Sequence, residues 1–361
     1  MKKYLTFLRS LLKDRPYVKF VYMTGILPIA KYSSGSELNM FAEYTMAGEE
    51  RFSEYFGFTE QEVDELYERY QKRNKNALKV SREGLKLWYD GYNTQSGEKL
   101  YNPRSVVIAL SNNNLGDYWT SSGPYDEIYY YISNNVEDVR DDLALMIAGE
   151  SVPVRIYEYA ATSQNLKTKE EIFSAMVVYG FLKYEKGRVS VPNRELMEKF
   201  SDMLRKEPSL GYVYRLANIS SKMLQATLAG DTDTMSEIIT YAHNTEVPIL
   251  SYNNETELSA VINLIYLAAR DEYRVEREDK AGRGFVDFIF YPIRYDQDCI
   301  ILELKVDHTP EDAIRQICEK EYALRFRGKT AEQIRYTGRI LAVGISYNKE
   351  TKEHKCKVEV L

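Results

Sequence analysis

GFVDFIFYP (284–292) and CIILELKVD (299–307) carry the pattern on which the fold turns. Both segments are rich in β-branched and aromatic residues, and both read as strands. Side chains alternate across a strand, so Cys299, Ile301, Glu303, Lys305 and Asp307 share one face and Ile300, Leu302, Leu304 and Val306 the other. Asp287 interrupts an apolar strand, with Phe285 and Ile289 beside it and Val286 and Phe288 opposite. Burying a lone carboxylate is costly unless a charge or a coordinated ion compensates. Two readings stand at this point. ILELKVD is a half-solvated strand with a charge pair, or Asp287, Glu303 and Lys305 converge from neighbouring strands. Two carboxylates and a lysine at one place suit a hard divalent cation and a polarised water.

Outward from this pair, ETELSAVINLIYLAARD (255–271) has helical spacing and YRVERE (273–278) reads as a further strand. TPEDAIRQICEKEYALRFR (309–327) is a helix with Thr309 as cap and Pro310 at its first position. RILAVGISY (339–347) and HKCKVEVL (354–361) close as strands. Residues 251–361 are thus expected to form one mixed α/β domain.

Residues 121–250 read as mainly helical. Within them AMVVYGFLKYEKGRVSVPNRELMEKF gives helix, strand, Lys–Gly turn, strand, helix, an order that suits a winged-helix-like hairpin used for packing. Residues 1–120 open with an amphipathic helix, interrupted by Arg9, Lys13 and Asp14 as no signal peptide is. VKFVYMTG (18–25) follows and reads as a buried strand. Trp88, Tyr89 and Trp119 lie beside Asp–Gly and Ser–Gly turns and read as packing residues.

The chain has 361 residues, 44% apolar and 28% charged, which excludes wholesale disorder and leaves room for two or three domains. No run is long enough to span a membrane. Three cysteines and three histidines, scattered, give neither a disulfide framework nor a zinc spacing, and the expected compartment is the reducing cytoplasm. A net charge of −6 excludes a wholly basic nucleic-acid coat but not a local basic patch. Arg325, Arg327, Lys329, Arg335 and Arg339 form such a cluster, able to hold phosphates beside an acidic site.

Asp287, then Glu303-x-Lys305, resembles the PD-(D/E)XK nuclease superfamily. GFVDFIFYP, IILELKVD and AIRQICEKEYA are similar to the nuclease domain that ends bacterial proteins beginning with an AAA-ATPase-like domain. YMTGILPIAKYSSGSELNMFAEYTM, LWYDGYN with YNPRSV, and YWTSSG resemble the back half of that ATPase-like domain. The resemblance implies a truncated AAA-ATPase-like α/β part, a helical middle region and a C-terminal restriction-endonuclease-like mixed sheet flanked by helices. It makes Asp287 and Glu303 metal ligands with the Leu304 carbonyl as a third, for Mg2+ or Mn2+. Lys305 would orient or activate the attacking water. Glu255 matches a further acidic position, with Glu257 as fallback, and Gln316 a glutamine on the helix after the third strand, followed by Tyr322.

The chain departs from that pattern in one respect. No G-x-x-x-x-G-K-[S/T] loop occurs, so Thr24 and Gly25, at what looks like a sensor position, face no phosphate cradle. ATP hydrolysis by this chain alone is not expected, and self-association or a partner is expected where the truncated core is uncovered. The leading expectation is a metal-dependent nuclease acting on DNA. Its alternative is a non-catalytic regulatory or interaction protein that retains the nuclease fold.

Overall fold

A strand as apolar as Ile300–Leu302 must lie inside a sheet that is covered on both faces. The computed structural model places it there. It describes residues 2–25, 40–42, 44, 46, 51–73, 78–94, 96–120, 129–130, 132–133, 136–156, 166–244, 255–281, 284–326 and 336–361. These gather into two compact units, Met1–Phe200 and Ser201–Leu361.

The first unit contains α1 (Lys2–Leu12), α2 (Glu60–Arg73), α3 (Arg82–Tyr89), α4 (Pro103–Asn112), α5 (Val136–Ile147) and α6 (Lys169–Val178). Its strands are short. β1 (Tyr92–Asn93) pairs with β2 (Lys99–Leu100), and β5 (Arg188–Ser190) lies between β3 (Val152–Pro153) and β4 (Lys183–Glu185). α7 (Arg194–Lys206) comes next in the chain, so the helix–strand–strand–helix order expected for residues 175–200 is present. Lys186 and Gly187, at the tip of the hairpin, have φ of 49° and 81°, the paired positive values a type I′ turn requires.

Tyr89 is buried with Val63, Leu85, Tyr101 and Val106, Trp88 packs against that cluster, and the Trp119 indole donates to the Tyr179 carbonyl at 3.1 Å. All three are packing residues, as their setting suggests. VKFVYMTG is a correction. Residues 18–25 form no strand and have no ladder partner among the described residues, and Phe20 and Tyr22 are 82% and 80% exposed. An apolar run becomes a strand only where a neighbour takes its backbone groups. Residues 26–39, which carry much of the upstream resemblance, lie outside the described residues.

The second unit is built on one five-stranded sheet, β6 (Tyr273–Ala281), β7 (Gly284–Pro292), β8 (Cys299–Val306), β9 (Ile340–Tyr347) and β10 (His354–Val360), in that spatial order. β6, β7 and β8 form an antiparallel meander, β8 and β9 run parallel with α11 (Pro310–Glu319) between them in the chain, and β10 returns antiparallel. All five expected strands are found. Ile289, Ile301 and Ala342 pack with Ile314 and Ile317 of α11. On the other face the Phe290 ring lies 5.3 Å from that of Tyr266, which follows α10 (Glu255–Ile265). β8 is therefore buried on both faces up to Leu304 and opens only at Lys305 and Val306, so the half-solvated reading fails.

α8 (Tyr212–Ala229) and α9 (Thr232–Asn244), which the sequence pattern groups with the middle region, belong with this sheet. α8 buries a stripe at helical spacing (Val213, Leu216, Ser220, Met223, Leu224, Thr227), and the Thr227 hydroxyl meets that of Tyr266 at 2.6 Å. On α9, His243 touches Tyr347 and His354 with ring centroids 5.0 and 5.2 Å away. No helix among the described residues is long and apolar enough to cross a membrane.

Candidate active site

The register of β7 and β8 runs Phe290↔Ile300, Ile289↔Ile301, Phe288↔Leu302, and the next step sets Asp287 opposite Glu303. Opposite residues of an antiparallel pair have Cβ atoms about 5 Å apart, so the two carboxylates meet. They are interlocked through the backbone. The Leu304 N–H donates to Asp287 Oδ2 at 2.7 Å, and the Asp287 N–H reaches Glu303 Oε2 at 3.4 Å. Lys305 Nζ donates to Glu303 Oε1 at 3.2 Å, and Gln316 Nε2 donates to the same oxygen.

α11 is held where Gln316 can make that bond. Thr309 Oγ1 accepts from the Asp312 N–H at 3.2 Å, while Asp312 Oδ2 accepts from the Thr309 N–H at 3.0 Å, a reciprocal cap with Pro310 in the first turn. Gly344 faces Glu303 across the β8–β9 ladder. A Cβ there would run into the Pro310 carbonyl oxygen and lie 3.1 Å from the Ala313 Cβ. Glycine at this position lets the helix sit directly on the strand. The glycine inside the apolar run LAVGISY was a legible signal of close backbone approach. Sequence reasoning passed over it.

Glu303 is 3% exposed. Burial, then the Asp287 charge beside it, push its carboxyl up to about 7, while Lys305 pulls the other way. With both carboxyls ionised the cluster would carry one negative charge more than its lysine offsets, which is what favours a proton on Glu303. Two hard oxygen donors under mutual repulsion fit a divalent cation. Among the described residues no group of three or more His, Cys, Asp or Glu forms a complete cage. Glu255 starts α10, and its side chain, like that of Glu257, lies outside the described residues. Leu304 enters the site through its amide N–H, and the part given to its carbonyl stays a proposal.

The expected basic cluster fares differently. Residues 327–335 and the Arg325 side chain lie outside the described residues. Arg339 is committed to Asp298 at 2.6 Å and to the Leu228 carbonyl at 3.1 Å, so it clamps the start of β9. A guanidinium bound to a carboxylate is a poor phosphate contact. Sequence reasoning missed a second buried carboxylate, in the first unit. Glu195 Oε1 accepts from the Tyr118 and Trp119 N–H groups at 2.6 and 2.7 Å and from Ser105 Oγ at 2.9 Å.

Residues 254–355 match the family model described as PD-(D/E)XK nuclease superfamily. The match lends nothing to the AAA-ATPase-like resemblance of the residues upstream. No curated protein matches the chain, and no solved structure does. A five-stranded mixed sheet, with Asp287 and Glu303-x-Lys305 meeting on its second and third strands, is consistent with a restriction-endonuclease-like fold. Residues 254–355 of this chain form a PD-(D/E)XK nuclease superfamily domain.

Proposed function

We propose that this domain is a metal-dependent nuclease that hydrolyses phosphodiester bonds of DNA. The observation that carries the reading is the meeting of Asp287, Glu303 and Lys305 at the one end of β8 that is not sealed on both faces. Asp287, Glu303 and the Leu304 carbonyl would hold the cation, with Glu255 as a further acidic group. Mg2+ or Mn2+ would supply positive charge to a phosphate oxygen and lower the cost of ionising a water. Lys305 Nζ, side chain 15% exposed, orients the attacking water and offsets the charge that grows on the phosphate. Gln316 keeps Glu303 Oε1 turned to the site. Water adds its oxygen to phosphorus, one P–O ester bond breaks, and the departing oxygen takes up a proton.

The non-catalytic alternative has one observation in its favour: both Glu303 oxygens already have donors within the protein. The AAA-ATPase-like reading of residues 1–120 rests on resemblance alone, and no ATPase step is built on it. Plasmid and single-stranded DNA are incubated with Mg2+ or Mn2+ and wild type, Asp287→Ala or Lys305→Ala. Cleavage that needs the cation and drops by about 100-fold or more in both variants is expected. Cation-independent cleavage, or variants as active as wild type, would sink the assignment.

A further inference from the structure

We propose that the segment Lys3–Tyr22 of the first unit is a surface that binds single-stranded DNA; the inference takes its ligand from the nuclease reading. A site built on Asp287 and Glu303 does not attract phosphates until a cation is bound, so a strand must be gripped by positive charge elsewhere. Arg339, the one member of the expected basic cluster whose side chain is described, is committed to Asp298.

Residues 1–25 carry six lysines and arginines against one aspartate, in a chain whose net charge is −6. α1 itself has no acidic residue. Lys3, Arg9 and Lys19 are exposed and pair with no carboxylate among the described residues. Aromatic rings lie among these charges. Tyr4, Phe7 and Leu11 form an exposed stripe at helical spacing on α1, and Lys3, one turn from Phe7, flanks it. Past the helix the Tyr17 hydroxyl donates to the Leu11 carbonyl at 3.2 Å, and Arg15 Nε donates to the Ser10 carbonyl at 2.7 Å. These bonds fold the chain back against the end of α1. Tyr17, Phe20 and Tyr22 still keep most of their surface in water, with Lys19 among them in the chain. Five exposed aromatic rings within one short segment mark a binding surface.

Charge and shape select the occupant. A second copy of the chain would set this cationic patch against itself across a two-fold axis, and like charges at close quarters oppose that. A lipid surface takes the apolar face of an amphipathic helix. That face of α1, Leu5 and Leu8 with Leu12, is already packed on Met40 and Phe41. Single-stranded nucleic acid uses what remains exposed: cations for its phosphates, and open ring faces on which unstacked bases can lie. A duplex offers phosphates but keeps its bases stacked inside, so it can use the charges and not the rings.

Binding of a fluorescent oligothymidylate, and of a duplex of the same length, is followed by anisotropy over a salt series in EDTA, where no cleavage occurs. Wild type is compared with Lys3→Ala/Arg9→Ala/Lys19→Ala and with Phe20→Ala/Tyr22→Ala, each checked for an unchanged circular dichroism spectrum. Removing three cations should lower the slope of log affinity against log salt by about 2, at roughly 0.7 for each phosphate contact on a single strand. Removing two rings should weaken oligothymidylate binding by about 10-fold or more, leaving that slope and duplex binding as they are. Either variant binding oligothymidylate as wild type does would overturn the proposal. So would wild type that binds phosphatidylserine vesicles but no DNA, even if metal-dependent cleavage of plasmid upheld the nuclease reading. Wild type and variants that bind as expected, in a chain that cuts no DNA with Mg2+ or Mn2+, would uphold the surface and sink the nuclease reading alone.

Discussion

Glu303→Gln should make the sheet unit's stability rise with pH between about pH 5 and pH 7, where that of wild type is nearly flat. In the native protein the Glu303 carboxyl is raised from 4.5 to about 7. The native state therefore binds a proton that the unfolded chain has released, and stability present below pH 4.5 is lost as the pH climbs to about 7. At roughly 1.4 kcal/mol for each tenfold change, this amounts to about 3 kcal/mol across the window. His354 opposes it. Burial, and then the neighbouring His243, lower its imidazole from 6.5 to about 4. Its contribution is present above pH 6.5 and is lost as the pH falls to about 4, a slope of opposite sign and similar size. Wild type should consequently look nearly flat. Glu303→Gln, with only the histidine left of the two, should gain about 3 kcal/mol as the pH rises through the window.

The two tryptophans, Trp88 and Trp119, both lie in the first unit, so fluorescence would report the wrong transition. Pulsed hydrogen exchange of the peptide spanning Cys299–Val306, across a urea titration in EDTA, reads the sheet directly. Parallel pH profiles for wild type and Glu303→Gln would refute the claim that burial beside Asp287 holds a proton on Glu303. A cation must displace that proton to bind. Mn2+ should therefore stabilise wild type more near pH 8 than near pH 6.

Two further perturbations test how the units are built. Thr309→Ala removes one half of the reciprocal cap on α11 and should cost about 1 kcal/mol in urea unfolding of the sheet unit, with cleavage falling as Gln316 loosens. Glu195→Ala leaves the Tyr118 and Trp119 N–H groups and the Ser105 hydroxyl without their acceptor. It should destabilise the first unit by about 3 kcal/mol, read from the Trp119 emission shift, and leave nuclease activity unchanged.

Much of the second unit could be read from residues alone because its cues are local. Short runs of β-branched and aromatic residues marked all five strands, and Thr309–Pro310 marked the start of α11. What failed was non-local. VKFVYMTG has the composition of a strand, but composition cannot show whether another strand lies within hydrogen-bonding distance. α8 and α9 are ordinary amphipathic helices in sequence. Only the bond of Thr227 to Tyr266, and the packing of His243 on Tyr347 and His354, assign them to the sheet. Arg339 was counted as a free cation because Asp298, its partner, is 41 residues away in the chain.

The site itself shows why spacing could suggest Asp287 and Glu303 but not how they are held. A β-ladder normally satisfies each backbone N–H with a carbonyl of the next strand. The described β7–β8 register stops at Phe288↔Leu302. One step further, side chains take over the work of the ladder: the Asp287 carboxylate receives the Leu304 N–H, and the Glu303 carboxylate receives the Asp287 N–H. Each acid is thus oriented by the backbone of the strand that carries the other. Removing either side chain strips the acceptor from a backbone N–H beside the other acid: Asp287→Ala leaves the Leu304 N–H, next to Glu303, without its acceptor, so it should displace Glu303 as well as delete a ligand. For that reason the losses from Asp287→Ala and Glu303→Ala should not add. Metal affinity in the double variant should match that of the weaker-binding single one, and losses that multiply would show two independent ligands.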